Sequence, residues 1–255
     1  MKNYSLAILL FLISTTPFAQ VNNEINIEEV QPEIITIGLG TGFNSFFGDY
    51  IKPENISLFT NIRSAYFVSL EKRFGSTFGI QLMGSKSYLS DNERSIITTN
   101  NRNFESNILQ IGTNFIFHFD NDFKTKRKSP LAPYLSAGVS FLKFDSYGDL
   151  MDGNNNNYYY WDNGEIWNVN QSDTSGNGSQ IIRDYTYETM LEDSIVSYNR
   201  TSLAVPISLG FKFKLNNFIE GRIFGTYNIT FTDWIDNAAE NDNNDKFAFI
   251  GFSLN

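Results

Sequence analysis

Cysteine is absent from this 255-residue sequence. That excludes a disulfide framework and any thiolate metal site. It also excludes a lipid-anchored exported protein, which carries a cysteine just after its leader. Histidine occurs once, at His118, so a Ser–His or Asp–His catalytic unit has a single imidazole to draw on. No apolar run approaches the roughly 20 residues of a membrane-spanning helix. The longest, LAILLFLI at residues 6–13, is far too short, and a helical membrane protein is excluded. Positive charge is scarce: 19 Lys and Arg face 28 Asp and Glu, a net charge of −9. Nucleic-acid binding needs a basic footprint and is disfavoured.

What is present begins with a leader. Lys2 supplies a positive start, LAILLFLI an apolar centre, and Thr16-Pro17-Phe18-Ala19 a small residue for cleavage before Gln20. Residues 1–19 therefore read as a secretory signal peptide. Residues 20–33 are polar and acidic without period, as expected of a periplasmic lead-in. Residues 34–255 suit one barrel domain with long loops. Aromatic residues make up 16%, with 24 Phe and 13 Tyr. Such a content fits a rich core or two girdles at membrane interfaces.

From residue 35 onward a period of two recurs, and no helical period is sustained. Strands are expected near 35–47, 62–73, 78–88, 106–119, 133–144, 201–214, 218–231 and 247–254. The sixth is the clearest. Leu203, Val205, Ile207, Leu209, Phe211 and Phe213 share one face; Ser202, Ala204, Ser208, Gly210 and Lys212 share the other. Pro206 lacks a ladder donor, so a bulge or local distortion is expected there. Strands two and three join through Phe74-Gly75-Ser76, and six and seven through Leu215-Asn216-Asn217. The 1–2, 3–4, 5–6 and 7–8 connections are long and polar, an asymmetry typical of bacterial barrels.

A soluble β-sandwich alternates too. Here, however, the apolar face persists over four or five alternate positions, as in a strand of about 9–11 residues crossing a bilayer. The opposite face is rich in Gly and Ser, which suit the crowded inside of a narrow barrel. The fold class read from the sequence is all-β. It is an eight-stranded antiparallel transmembrane β-barrel with long extracellular loops and periplasmic termini, placed in the outer membrane.

Four groups of residues stand out. Glu71, Arg73, Lys212, Glu220 and Arg222 lie on the inner face near the periplasmic end, where buried charges must be paired. An ion-pair network is expected there, with Gln110 and His118 as candidate members, plugging a lumen just wide enough for side chains. The loop at residues 145–200 holds ten acids against two bases and an aromatic stretch containing Tyr158, Tyr160, Trp161 and Trp167. Asn163-Gly164 within it signals a hairpin through a type I′ turn, with both central residues at positive φ. Such a hairpin would offer its rings to a partner. Lys124, Lys126, Arg127 and Lys128 form a basic periplasmic turn between strands four and five. Asp233, Asp236, Glu240, Asp242 and Asp245 cluster in the 7–8 loop, but match no EF-hand spacing, and no metal site is assigned.

Several motifs carry a family resemblance: Gly38-Leu39-Gly40 with Phe46-Phe47-Gly48-Asp49; Asn101-Arg102-Asn103-Phe104-Glu105-Ser106-Asn107; Pro133-Tyr134 with Ala137-Gly138; and Phe144-Asp145-Ser146-Tyr147-Gly148-Asp149-Leu150. With these the chain resembles the eight-stranded outer-membrane barrels of Bacteroidota, both the barrel domain of OmpA-like proteins and the PorG-like barrel of type IX secretion. The resemblance covers most of the mature chain and brings no catalytic residues. OmpA-like proteins often add a peptidoglycan-binding domain; the barrel runs to Asn255, and peptidoglycan anchoring is not expected.

The expected function is a non-enzymatic outer-membrane barrel with a structural or surface-interaction role. A PorG-like secretion accessory, docking through the basic turn, is one alternative. A soluble lipocalin-like ligand binder is another. No cofactor is expected. Expected partners are outer-membrane lipid, the barrel-insertion machinery, which would read the alternating aromatics of residues 247–254, and a periplasmic or cell-surface protein.

Overall fold

A computed structural model describes residues 35–48, 61–75, 77–92, 101–119, 131–173, 175–193, 196–215, 218–239 and 243–255. The expected signal peptide and lead-in lie outside the described residues, as do Asn216 and Asn217 of the 6–7 turn.

The strands in chain order are β1 (Ile35–Phe47), β2 (Arg63–Phe74), β3 (Phe78–Asn92), β4 (Asn103–His118) and β5 (Leu131–Gly148). Three two-residue strands follow: β6 (Tyr159–Tyr160), β7 (Ile166–Trp167) and β8 (Thr189–Met190). The chain ends with β9 (Thr201–Lys214), β10 (Glu220–Thr230) and β11 (Lys246–Leu254). Each long strand pairs antiparallel with the next, and β5 pairs with β9. β1 closes the ring on β11, from Leu39 opposite Leu254 to Phe47 opposite Lys246. The result is a closed eight-stranded antiparallel barrel, which leaves no unpaired edge in its wall. β8 extends the sheet at the top of β5, and β6 with β7 forms a separate hairpin.

All eight expected strands are present. Those at 35–47 and 201–214 match at both ends; β3, β4 and β5 run several residues further toward the long loops. The reason lies in what the alternation measures. Beyond the apolar belt the outward positions become Lys86, Asn107, Lys143 and Asp145, so the hydrophobic signal stops while the ladder continues. Leu39, Val68, Ile80, Ile111, Val139, Leu209, Ile223 and Ile250 represent the outward face, one from each wall strand, and all are exposed. Leu209 keeps 58% of its surface.

The inner face is not only small and polar. Phe46, Phe67, Phe104, Phe144, Phe224, Phe247 and Phe249 are all buried inside the ring. The glycines make room for them. A Cβ at Gly40 would run into the Phe67 ring, one at Gly42 into Phe249, and one at Gly210 would come 2.7 Å from the ring of Tyr134. The Gly-rich alternation and the lumen rings are thus two halves of one packing solution. Pro206 produces a local distortion and no bulge. The β5–β9 ladder lapses between Ala137–Ile207 and Ser140–Ala204 and resumes in unchanged register.

Candidate functional site

The lumen is organised in levels. At the end bearing the short turns and both strand termini, a charged group spans the barrel. Glu71 of β2 accepts hydrogen bonds from Arg222 Nη1 at 2.5 Å and from His118 Nε2 at 3.0 Å. β1 and β11 lie between β2 and β10, so the Glu71–Arg222 pair reaches across the lumen. Arg222 Nε also donates to Glu220 at 2.8 Å, and its guanidinium lies 5.6 Å from the Tyr134 ring centre. His118 Nδ1 is 3.1 Å from Lys212 Nζ. An ammonium can only donate, so Nδ1 is the acceptor and Nε2 carries the proton given to Glu71. That assignment leaves His118 neutral with both nitrogens engaged. Gly79 of β3 sits between: a Cβ there would lie 3.1 Å from Glu71 Oε1 and 3.2 Å from His118 Nε2.

Of the residues expected in this group, Glu71, Lys212, Glu220 and Arg222 are brought together, with His118. Arg73 lies two positions beyond Glu71 on the same face of β2. Gln110 belongs elsewhere. It bonds Ser140 Oγ at 2.7 Å and Asn228 Oδ1 at 3.1 Å, in a separate mid-lumen belt with the Ser208–Thr226 hydroxyl pair. Strand position told which face Gln110 shares, but not its depth relative to β10. Between these levels Phe67, Phe224 and Phe249 meet edge to face, with centroids 5.4–5.7 Å apart. A cavity of about 20 Å³ beside them is lined by Asn44, Ser87 and Gln110 among others, enough for about one water.

At the long-loop end a loop residue packs into the lumen. Ile235, from the segment between β10 and β11, is fully buried among Phe46, Leu89, Phe104, Phe144 and Phe247. Its carbonyl accepts from the hydroxyls of Ser106 and Ser146, and its N–H donates to Asp245 Oδ2 at 2.8 Å. Tyr198 and Trp234 stack at 4.5 Å on the same cluster. Nothing in the local sequence marked Ile235 out, because its partners lie on β1, β3, β4, β5 and β11. Truncating Ile235→Ala is expected to weaken docking by about 2–5 kcal/mol, the usual result of emptying such a site. Limited proteolysis should then cut faster between β10 and β11 while the barrel stays folded; an unchanged cleavage rate would show that Ile235 does not hold the segment.

The long 5–6 loop is a folded cap. Asp149 is buried, its carboxyl pushed up by desolvation against the pull of Arg183, whose Nε lies 2.7 Å from Asp149 Oδ2. Asn103 bonds Asp149 at both backbone groups, and Glu188 accepts from the N–H groups of Leu150 and Met151. The expected hairpin is there, with Tyr159 opposite Trp167 and Tyr160 opposite Ile166. Its turn differs from expectation. Gly164 alone has positive φ, at 81°, and Trp161 pairs with Glu165 around a three-residue loop. Such loops place a type I turn before one left-handed residue, which asks for glycine at one position instead of two. The rings are mostly committed internally. Trp161 and Trp167 stack at 4.4 Å, and the Tyr158 hydroxyl accepts from Asp184 N–H.

The basic turn Lys124, Lys126, Arg127 and Lys128 lies outside the described residues, as do Glu240 and Asp242. In the described part of the 7–8 loop, Asp236 Oδ1 accepts from Ala238 N–H, and Asp245 serves Ile235.

No protein-family model matches this chain, and no curated protein does. Among solved structures, it is similar to neisserial surface protein A. Identity is 13%, covering 87% of this chain and 97% of that one, with a TM-score of 0.44. It is also similar to Ail, the attachment invasion locus protein of Yersinia pestis, solved with the heparin analogue sucrose octasulfate. That match has 8% identity, 86% and 95% coverage and a TM-score of 0.41. The outer-membrane enzyme PagL matches at 12% identity, 86% and 96% coverage and a TM-score of 0.35. At such distance the fold of this chain rests on its own strand pairing.

Proposed function

We propose that this chain is an outer-membrane β-barrel that performs no reaction, seals its own lumen and presents folded acidic loops outside the cell, in a structural or surface-interaction role. The observation that carries the reading is the inverted polarity of the wall. Large apolar side chains face outward on all eight strands, while Glu71, Gln110, Lys212 and Arg222 are buried inside. Soluble monomers rarely expose apolar patches beyond a few hundred Å². In a bilayer the same belt is solvated by lipid, and ring closure satisfies the backbone. The leader at residues 1–19 supports export, and the loop asymmetry supports placing the short turns in the periplasm. The engagement of both His118 nitrogens inside the lumen supports the non-enzymatic reading.

Expressed with its leader in a Gram-negative host, the protein is expected in the outer-membrane fraction, resistant to carbonate extraction. It should also migrate faster on detergent gels before boiling than after. Recovery from the periplasm without detergent would overturn the membrane reading and favour the lipocalin-like alternative. The sealed lumen has its own test. Planar bilayers containing the refolded chain should show no regular current steps. Discrete steps, altered sharply by Arg222→Glu, would identify a gated conduit instead.

A further inference from the structure

A cavity of about 340 Å³ opens between the hairpin and the returning segment of the 5–6 loop. We propose that it is a binding site for a neutral saccharide. What the site meets in life rests on the surface-protein reading above; its chemistry does not.

The lining includes Tyr160 and Glu165 of the hairpin with Gln180, Ile182, Arg183 and Tyr185 of the returning segment. Three of these side chains hold hydrogen-bonding capacity that the described residues do not use. The Arg183 side chain is only 10% exposed. Its Nε is taken by Asp149 and its Nη1 by Asn92, but its buried Nη2 has no hydrogen-bond partner. Glu165 commits Oε2 to Asn163 and to the Trp167 indole, leaving Oε1 as an acceptor. Gln180 lines the cavity with both amide functions unused. A buried donor left without an acceptor is costly, by about 1–3 kcal/mol, but Nη2 has almost no accessible surface, so a ligand oxygen reaches it only if the Arg183 side chain shifts.

The same wall has flat and apolar surface. The Tyr185 ring lies over the Arg183 guanidinium at 4.9 Å, and its residue is held at a φ of 58°, unusual for a bulky side chain. Ile182 stands 87% exposed beside it. The Glu165 acceptor, the Gln180 amide, which both donates and accepts, and the Tyr185 ring face match a pyranose, which offers hydroxyls that both donate and accept and a face of C–H bonds. The volume falls at the small end of ligand sites, about 300–1,000 Å³. Charge selects the neutral class. Among the described residues the one cation of the site, Arg183, is already matched by Asp149, and Asp184 and Glu188 both act on that carboxyl, so a further anion meets repulsion. A cationic ligand would face Arg183.

The test uses the full mature chain in an amine-oxide detergent, since sugar-headed detergents would compete. Lactose, maltose and chitobiose are the neutral probes and N-acetylneuraminic acid the charged comparator. Binding is followed by saturation-transfer NMR and by fluorescence of the stacked Trp161–Trp167 pair. At least one neutral probe is expected to bind, and Gln180→Ala, Glu165→Gln and Tyr185→Ala should each weaken it about fivefold or more. Gln180 is exposed, so its variant keeps the fold, which gel mobility before boiling verifies. No binding of any neutral probe at millimolar concentration overturns the proposal. Preference for N-acetylneuraminic acid overturns the neutral class, and binding indifferent to all three substitutions overturns the site. Fractionation of cells reports separately on the membrane reading.

Discussion

Replacing Glu71 by alanine is expected to destabilise the folded barrel by about 3–5 kcal/mol, the range for removing one partner of a buried ion pair. Among the described residues, Glu71 is a carboxylate that Arg222 and His118 both contact, from opposite sides of the lumen. Without it, Arg222 keeps only the hydrogen bond to the partly exposed Glu220, while Lys212 stays buried against His118. Urea titration of the protein refolded into lipid vesicles, scored by the unboiled gel band, measures the loss. The more conservative Glu71→Gln keeps an acceptor for His118 and should fall between the two. A change below about 0.5 kcal/mol, as at an ordinary surface site, would show that the cluster is not what braces this end of the lumen.

The second large effect separates a membrane wall from a soluble one. Leu209 lies midway along the outward stripe of β9, opposite Leu135 of β5 and Gly225 of β10. Leu209→Arg should destabilise the barrel by about 2–4 kcal/mol if that stripe lies near the bilayer midplane. On a soluble protein a side chain 58% exposed to water would accept the same change within about 0.5 kcal/mol. Vesicle refolding yield and the urea midpoint distinguish the outcomes. A neutral result would contradict the lipid-facing assignment whatever fractionation shows. Ser208→Ala, the adjacent inward position, offers a contrast: it loses the Thr226 hydroxyl contact at 2.8 Å but leaves the lipid face untouched.

Much of this architecture was legible in the one-dimensional pattern. A strand has a period of two, so the apolar stripe of β9 and its polar complement identify which residues face out before any pairing is known. Eight such stripes and an asymmetry of loop lengths are enough to name the barrel. The same reasoning placed Glu71, Lys212, Glu220 and Arg222 on the inner face near one end. It did not carry depth across the ring. Gln110 and His118 share a face of β4, yet the first bonds Asn228 in mid-lumen and the second bonds Glu71 at the end.

The sequence by itself determined the strands, their outward faces and the requirement that inward charges be paired, because these follow from local alternation and from the cost of burying charge. Only the tertiary structure decided which inward groups meet, because closure and stagger bring together residues as distant as Glu71 and Arg222, 151 positions apart. It alone decided that phenylalanine rings fill the space over glycines, that Ile235 packs among side chains from five strands, and that one glycine suffices for the hairpin turn. Each of those outcomes depends on volume shared between strands, which no single stretch of chain encodes.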